Sequence, residues 1–190
     1  SAVEQKTKSD SWQADLIASK GINLWNGVIN LRTLYFNNNS TLLQNSIPTR
    51  FNSQMLNART GLDFSFWKDM HLRYGLTFSQ SRMKMEQSAK ATNIHNWKHD
   101  LSLTMPIQLL TFDLAAEYYR NETMPGNYKD FFLTDVKVGY KFRHFDLTLS
   151  LSNLLNNNTY SYVVVSDLIR NSSTNHIRGR EFLITLYYRL

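Results

Sequence analysis

The chain has 190 residues with 42% hydrophobic and 13% aromatic content, enough apolar side chain for a substantial buried face, and its 7 Gly and 3 Pro exclude collagen-like and low-complexity classes. Cysteine is absent, which removes disulfide frameworks, thiolate zinc sites and cysteine nucleophiles together. The net charge of +6 is scattered as single Lys and Arg residues without a clustered stripe, so nucleic acid is not an expected partner.

Residues 1 to 10, SAVEQKTKSD, are polar and lack the basic, apolar, small-residue order of a secretory signal. Nowhere does the sequence hold the unbroken apolar run of about 20 residues that a membrane-crossing helix needs. Alternation with a period of two recurs instead, which predicts strands pairing antiparallel. In chain order the apolar or small alternating positions are Trp12 to Ala18, Ile29 to Tyr35, Ala58 to Phe66 and Leu72 to Phe78. They continue at Leu101 to Ile107, Phe112 to Tyr118, Phe132 to Phe142, Phe145 to Leu151 and Phe182 to Leu190. None of these alternate positions carries a charge. The positions between them hold Asp15, Arg32, Arg59, Asp63, Arg73 and Asp113, then Glu117, Asp135, Lys137, Lys141, Asp146 and Arg189. Each predicted strand therefore has one dry and one wet face.

The same pattern fits a soluble sandwich or lipocalin-like barrel with the dry face inside, and a transmembrane barrel with it outside. Two features favour the membrane. Aromatics sit at the ends of the dry stretches, as in Phe112, Leu114, Ala116, Tyr118, where a lipid-facing band carries its two aromatic girdles. The connections also alternate in length. Short links at 21–27, 67–70, 108–110 and 143–145 alternate with long polar loops expected at 37–49, 81–96, 120–130 and 156–179. Outer-membrane barrels keep short turns on the periplasmic rim and long loops outside. The expected fold is thus all-β, an antiparallel up-and-down transmembrane β-barrel. Nine predicted strands is an odd count, which cannot close without one parallel pair, so they are expected to be about nine strands of a larger barrel.

The segments FDLTLSLSNLLNNNTYSYVVVSDL and HIRGREFLITLYYRL resemble the C-terminal end of TonB-dependent outer-membrane receptors of the Bacteroidota type. They carry the Asn-Leu-Leu-Asn turn, a long loop, Arg-Gly-Arg and an alternating final strand. EYYRNETMPGNYKDFFLTDVKVGYKFRHFDLTLSLSNLLN resembles the preceding strands, and the likeness is strongest from about Asn96 to Leu190. The final Leu190 departs from the Phe or Trp on which many outer-membrane proteins end. The resemblance implies that residues 1–190 form the C-terminal segment of a 22-stranded barrel domain whose plug and TonB box are absent from this sequence. It further implies location in the cell outer membrane and import of bulky nutrients such as glycans, peptides, siderophores or cobalamin. The implied partners are the lipid bilayer, the plug domain and remaining strands, TonB through the absent N-terminal part, and a surface lipoprotein.

Chemical motifs are sparse. His95 and His99 stand four apart, but in a strand that spacing separates them along the chain axis, so no metal site is expected. His71, His144 and His176 fall at turns or loops, and no glycine-rich phosphate cradle is present. His99, Asp100 and Ser102 offer the residue types of a hydrolase triad, yet alternation puts His99 on the face opposite the other two. No catalytic, cofactor-binding or metal residue is expected, no cofactor is implied, and the substrate-binding residues are not specified by sequence. A stand-alone small outer-membrane barrel for binding or adhesion is the alternative function, followed by the soluble lipocalin-like barrel.

Overall fold

The computed structural model describes residues 8–23, 26–44, 47–66, 69–88, 90–165 and 170–188. Among these there are eleven strands and no α-helix: β1 (Ser9–Ile22), β2 (Gly27–Gln44), β3 (Ile47–Phe66), β4 (Met70–Met85), β5 (Thr92–Ile107), β6 (Leu110–Met124), β7 (Asn127–Phe142), β8 (Phe145–Ser152), β9 (Thr159–Val165), β10 (Arg170–His176) and β11 (Glu181–Tyr188). Nine of them form one antiparallel up-and-down sheet in the order β1-β2-β3-β4-β5-β6-β7-β8-β11, and β9 pairs with β10 as a separate hairpin. The nine predicted strands are therefore the nine strands of the sheet. The sheet is open, with β1 and β11 at its two edges. Both edge strands run from the long-connection rim to the short-connection rim, so they cannot close antiparallel on each other.

The short links turn tightly because each holds a residue with left-handed backbone: Asn26 (φ 44), Asp69 (φ 64), Gln108 (φ 54) and Arg143 (φ 44). Leu24, Trp25, Trp67 and Lys68, which share two of these links, lie outside the described residues, as do Arg189 and Leu190 of the terminal alternation.

The long loops are shorter than the sequence suggests. Nearly all of 37–49 is ladder, with β2 and β3 paired as far as Gln44 opposite Ile47. Pairing likewise reaches Met85 on β4 and resumes at Thr92 on β5. It reaches Met124 opposite Asn127 on β6 and β7. Polar composition on both faces marks where the strands leave the apolar band, and it leaves the backbone ladder intact. Asn52 shows how: its Nδ2 donates to Asn37 Oδ1 at 3.0 Å and Asn39 Oδ1 at 2.7 Å, so amides tie the extension together where apolar packing has ended. The 20 residues of β3 exceed the about 9–11 that a tilted strand needs to cross a bilayer.

The connection at 156–179 contains the β9 and β10 hairpin, which the sequence reading takes as loop. The Asn-Leu-Leu-Asn segment starts it. Asn153 (φ 50) and Asn156 (φ 57) both adopt the left-handed conformation that Asn tolerates better than most residues. Asn153 is buried, and its Nδ2 donates to Asn157 O at 2.6 Å and Arg178 O at 2.9 Å, while its Oδ1 accepts from Asn157 N at 3.0 Å. Asn156 Oδ1 accepts from Arg180 N at 2.9 Å, and a Cβ on Gly179 would lie 2.9 Å from that same oxygen. The two asparagines thereby clamp the outgoing and returning ends of the connection, and Arg-Gly-Arg supplies the backbone they hold.

Asn153→Ala should destabilise the chain by on the order of 2–3 kcal/mol, because three part-buried backbone groups lose their partner and the turn loses its left-handed residue. Asn153→Gly, which keeps the backbone freedom, should lose less. Denaturant titration, with proteolysis between Asn157 and Ile177 as the local probe, checks both; equal losses for the two variants would contradict the turn's backbone requirement.

Candidate membrane-facing surface and lumenal cluster

Directly opposed residues in an antiparallel pair point to the same side of a sheet. The register therefore decides whether the dry faces of separate strands make one surface. Leu103 opposes Leu114, Leu114 opposes Val136, Val136 opposes Leu151 and Leu151 opposes Phe182. At the other edge Ala18 opposes Leu31, Leu31 opposes Thr60 and Thr60 opposes Leu76. Every dry stretch joins the same face. Among the described residues no second layer covers it: Trp12 is 55% exposed, Phe142 44% and Leu149 36%. A sandwich or a filled soluble barrel would bury these side chains.

The apolar band runs obliquely across the sheet. A line of opposed residues from Trp12 on β1 passes through Asn37 and crosses β3 at Gln54. The line from Leu151 on β8 passes through Val136, Leu114, Leu103 and Leu72 and crosses β3 at Phe64. Phe78 on β4 and Tyr118 on β6 fall between, tracking to Ala58 and Thr60. The upper edge of the band thus slips steadily along the register from β1 to β8. With strands about 4.8 Å apart and a rise of about 3.3 Å per residue, this slip corresponds to strands tilted by about 45°. Transmembrane barrels tilt their strands by about 35–45°. Aromatics mark both borders. Trp12 contacts Tyr35 at 5.0 Å and Phe78 contacts Trp97 at 4.4 Å near the long-connection rim, while Phe145 contacts Tyr188 at 5.0 Å near the other.

The wet face carries charge in cross-strand pairs. Arg32 bonds Asp15 at 3.1 Å, Arg73 bonds Asp63 at 3.0 Å and Lys98 bonds Glu117 at 3.1 Å. Thr104 Oγ1 donates to Asp113 at 2.8 Å, and Asp135 accepts from Asn153 N at 2.7 Å. Arg59 stands opposite Arg32, Lys137 opposite Asp113, and Asp146 opposite Lys141. Exposed pairs of this kind contribute little stability, about 0–1 kcal/mol each. They do keep the face hydrated. Gly61 opposes Gly75, and the missing side chains leave a hollow bordered by Arg59, Asp63, Arg73 and Asp100.

The β9 and β10 hairpin turns over this wet face. Asn121 Nδ2 on β6 donates to Ser161 O at 3.0 Å. Tyr160 meets Tyr119 edge-on at 5.3 Å and Phe131 at 5.1 Å, and Tyr119 and Phe131 are direct cross-strand partners. Phe131 and Val163 are buried, and Lys98 stands 5.0 Å over the Tyr119 ring, whose hydroxyl donates to Glu117 at 2.6 Å. An aromatic and charged cluster thus lies on the wet face beneath a folded-in hairpin. The alternation of Tyr160, Tyr162 and Val164 is the sequence signal for β9, masked by the polar residues on both sides.

His95 and His99 both point to the dry side, each with its own partner. Tyr74 Oη and His99 Nδ1 share a hydrogen bond of 2.8 Å. His95 donates through Nδ1 at 2.8 Å and through its backbone N at 2.7 Å to Glu122 Oε2. Asp100 and Ser102 occupy the opposite side from His99, opposing Gly75 and Arg73. Among the described residues no group of three or more His, Cys, Asp or Glu is placed to hold a metal ion.

Glu122 is 3% exposed and lies beyond the apolar band. Burial opposes its ionisation, but the Gly126 N–H, the His95 ring and the His95 backbone N–H outweigh that and hold the carboxyl below the usual carboxylate range. A depressed carboxyl stabilises the fold above its ordinary pKa, and that contribution disappears as pH falls toward the lower folded value. Protection of the Gly126 amide from hydrogen exchange should therefore diminish as the pH falls below the ordinary glutamate range. Glu122→Gln should weaken it at neutral pH and flatten its acid dependence; an unchanged acid profile in that variant would contradict the clamp.

Comparison with protein-family models, with curated proteins and with solved structures finds no match to this chain.

Proposed function

We propose that the chain is a wall segment of an outer-membrane β-barrel, the C-terminal part of a TonB-dependent receptor that imports bulky nutrients. The oblique apolar band carries the membrane part of this reading. An uncovered dry face bordered by aromatics, with an upper edge that follows strand tilt, matches what a bilayer demands of a barrel exterior. A protein core has no reason to keep such a border.

The edge strands support a larger barrel over a stand-alone one. β1 and β11 run in the same direction, so each needs an opposite-running neighbour contributed by strands outside this sheet. An odd number of further strands completes an even barrel, as the 22 strands of the resembled receptors would. The wet face then lines a lumen holding a plug domain, whose energy coupling runs through TonB. The folded-in hairpin and the cluster of Tyr119, Phe131 and Tyr160 stand on the lumenal path at the outer rim, where an arriving nutrient, handed over by a surface lipoprotein, would pass. The uncovered dry face weighs against the soluble lipocalin-like barrel.

Leu149→Arg or Val136→Arg should cost about 2–4 kcal/mol of stability in bilayers, because each places a charge near the midplane. Thr148→Arg, one residue away on the wet face, should assemble normally. Folding yield into vesicles, read by gel mobility without boiling, makes the comparison. Normal assembly of both apolar-face variants would overturn the outward assignment.

A further inference from the structure

Above the apolar band the same outward face changes character. The row of opposed residues just beyond Trp12 contains Asp10, Asn39, Asn52 and Lys84. The next row holds Thr41 opposite Arg50, extended by backbone bonds from Thr41 N to Lys8 O and from Glu86 N to Arg50 O, both 3.0 Å. Arg82 opposes Gln54, in the row of Trp12 itself. Four cations, Lys8, Arg50, Arg82 and Lys84, thus share the dry-side orientation directly above the band, with Asp10 and Glu86 among them. Lys8, Arg50 and Lys84, with Asp10 and Glu86, border an open hollow of about 510 Å³, and Arg82 stands outside its lining.

On the wet face Arg32, Arg73 and Lys98 each hold a carboxylate, while Arg59 and Lys137 are in no ion pair among the described residues. None of the ion pairs among the described residues involves Lys8, Arg50, Arg82 or Lys84. A net positive surface that continues a lipid-facing band sits at headgroup depth. Cations there attract anionic headgroups, each contributing about 1 kcal/mol, a factor of about five in affinity. The floor suits more than a point charge. Asn52 donates through Nδ2 to both buried Asn37 and exposed Asn39, which fixes the amides and leaves Asn52 Oδ1 and Asn39 Nδ2 to meet hydroxyls.

We infer that the outward surface formed by Lys8, Arg50, Arg82 and Lys84 docks the phosphate-bearing sugar headgroup of an outer-leaflet glycolipid. The cations take the phosphates, and Thr41 with the asparagine ladder takes sugar hydroxyls. This rests on the outer-membrane reading above. The site fixes a lipid on the β1 to β4 flank of the wall, away from the lumen and from any transported nutrient.

The test uses the full-length protein that carries these strands, reconstituted in phosphatidylcholine vesicles and washed. Retention of bis-phosphorylated lipid A is compared with dephosphorylated lipid A, and inorganic phosphate is added as competitor. The expected result is selective retention of the phosphorylated lipid, a loss of roughly 25-fold in Arg50→Gln/Lys84→Gln as two cations are removed, and little change in Arg73→Gln on the wet face. Full displacement by millimolar phosphate would reassign the site to free phosphate and overturn the lipid assignment. Equal retention of both lipids, or no effect of the double variant, would overturn the inference while leaving the membrane reading intact. Failure of the protein to enter vesicles at all would instead refute the membrane reading.

Discussion

The antiparallel register is the constraint on which everything else depends. Because opposed residues share a side, a ladder from β1 to β11, irregular only between Glu122 and Met124 at the β6–β7 turn among the described pairs, sums nine separate alternations into one dry and one wet surface. A slip of one residue in any pair would turn every side chain beyond it to the wrong side. The tight links guard against that: Gln108 and Arg143, with left-handed backbone, fix where β5 meets β6 and where β7 meets β8. Once the register is set, the slant of the apolar band reports strand tilt, although no single strand contains that information.

Two polar devices finish what the ladder begins. At the long-connection rim, where the outward apolar band stops, several buried groups are satisfied by amides and carboxylates. Asn153 and Asn156 close the connection to β11, and Glu122 gathers the backbone of Gly126 and His95. Among the described residues the buried hydrophobic side chains, Phe51, Ile94, Phe131 and Val163, also lie at this end. Among these residues the sheet's middle has no core of its own, and the packed part is the long-connection rim. In the proposed receptor that rim is the part that meets nutrient, so packing is concentrated where recognition would take place.

Strand existence and facing were legible in the sequence because period two survives wherever one side is apolar, as in Phe132 to Phe142. Strand length was not. Beyond Tyr35 the chain reads Phe-Asn-Asn-Asn-Ser, polar on both sides, and composition cannot separate a wet ladder from a loop. The β9 and β10 hairpin was hidden in the same way, by Asn and Ser around a short alternation. The Asn-Leu-Leu-Asn turn was visible as a motif, but its work could not be read, because the carbonyl that Asn153 holds belongs to Arg178, 25 residues away. Glu122 gave no signal at all, since its partners come from another strand and a turn.

The central claim is that even-numbered positions of β7 face lipid and odd-numbered ones face water. The absence of native cysteine permits a nitroxide scan, one labelled cysteine at a time, from Phe132 to Phe142 in vesicles. Collision with oxygen, which concentrates in lipid, should peak at Thr134, Val136, Val138 and Tyr140, and collision with a water-soluble nickel complex should peak at Leu133, Asp135, Lys137 and Gly139. The reverse alternation, or uniform access to the nickel complex, would contradict the account.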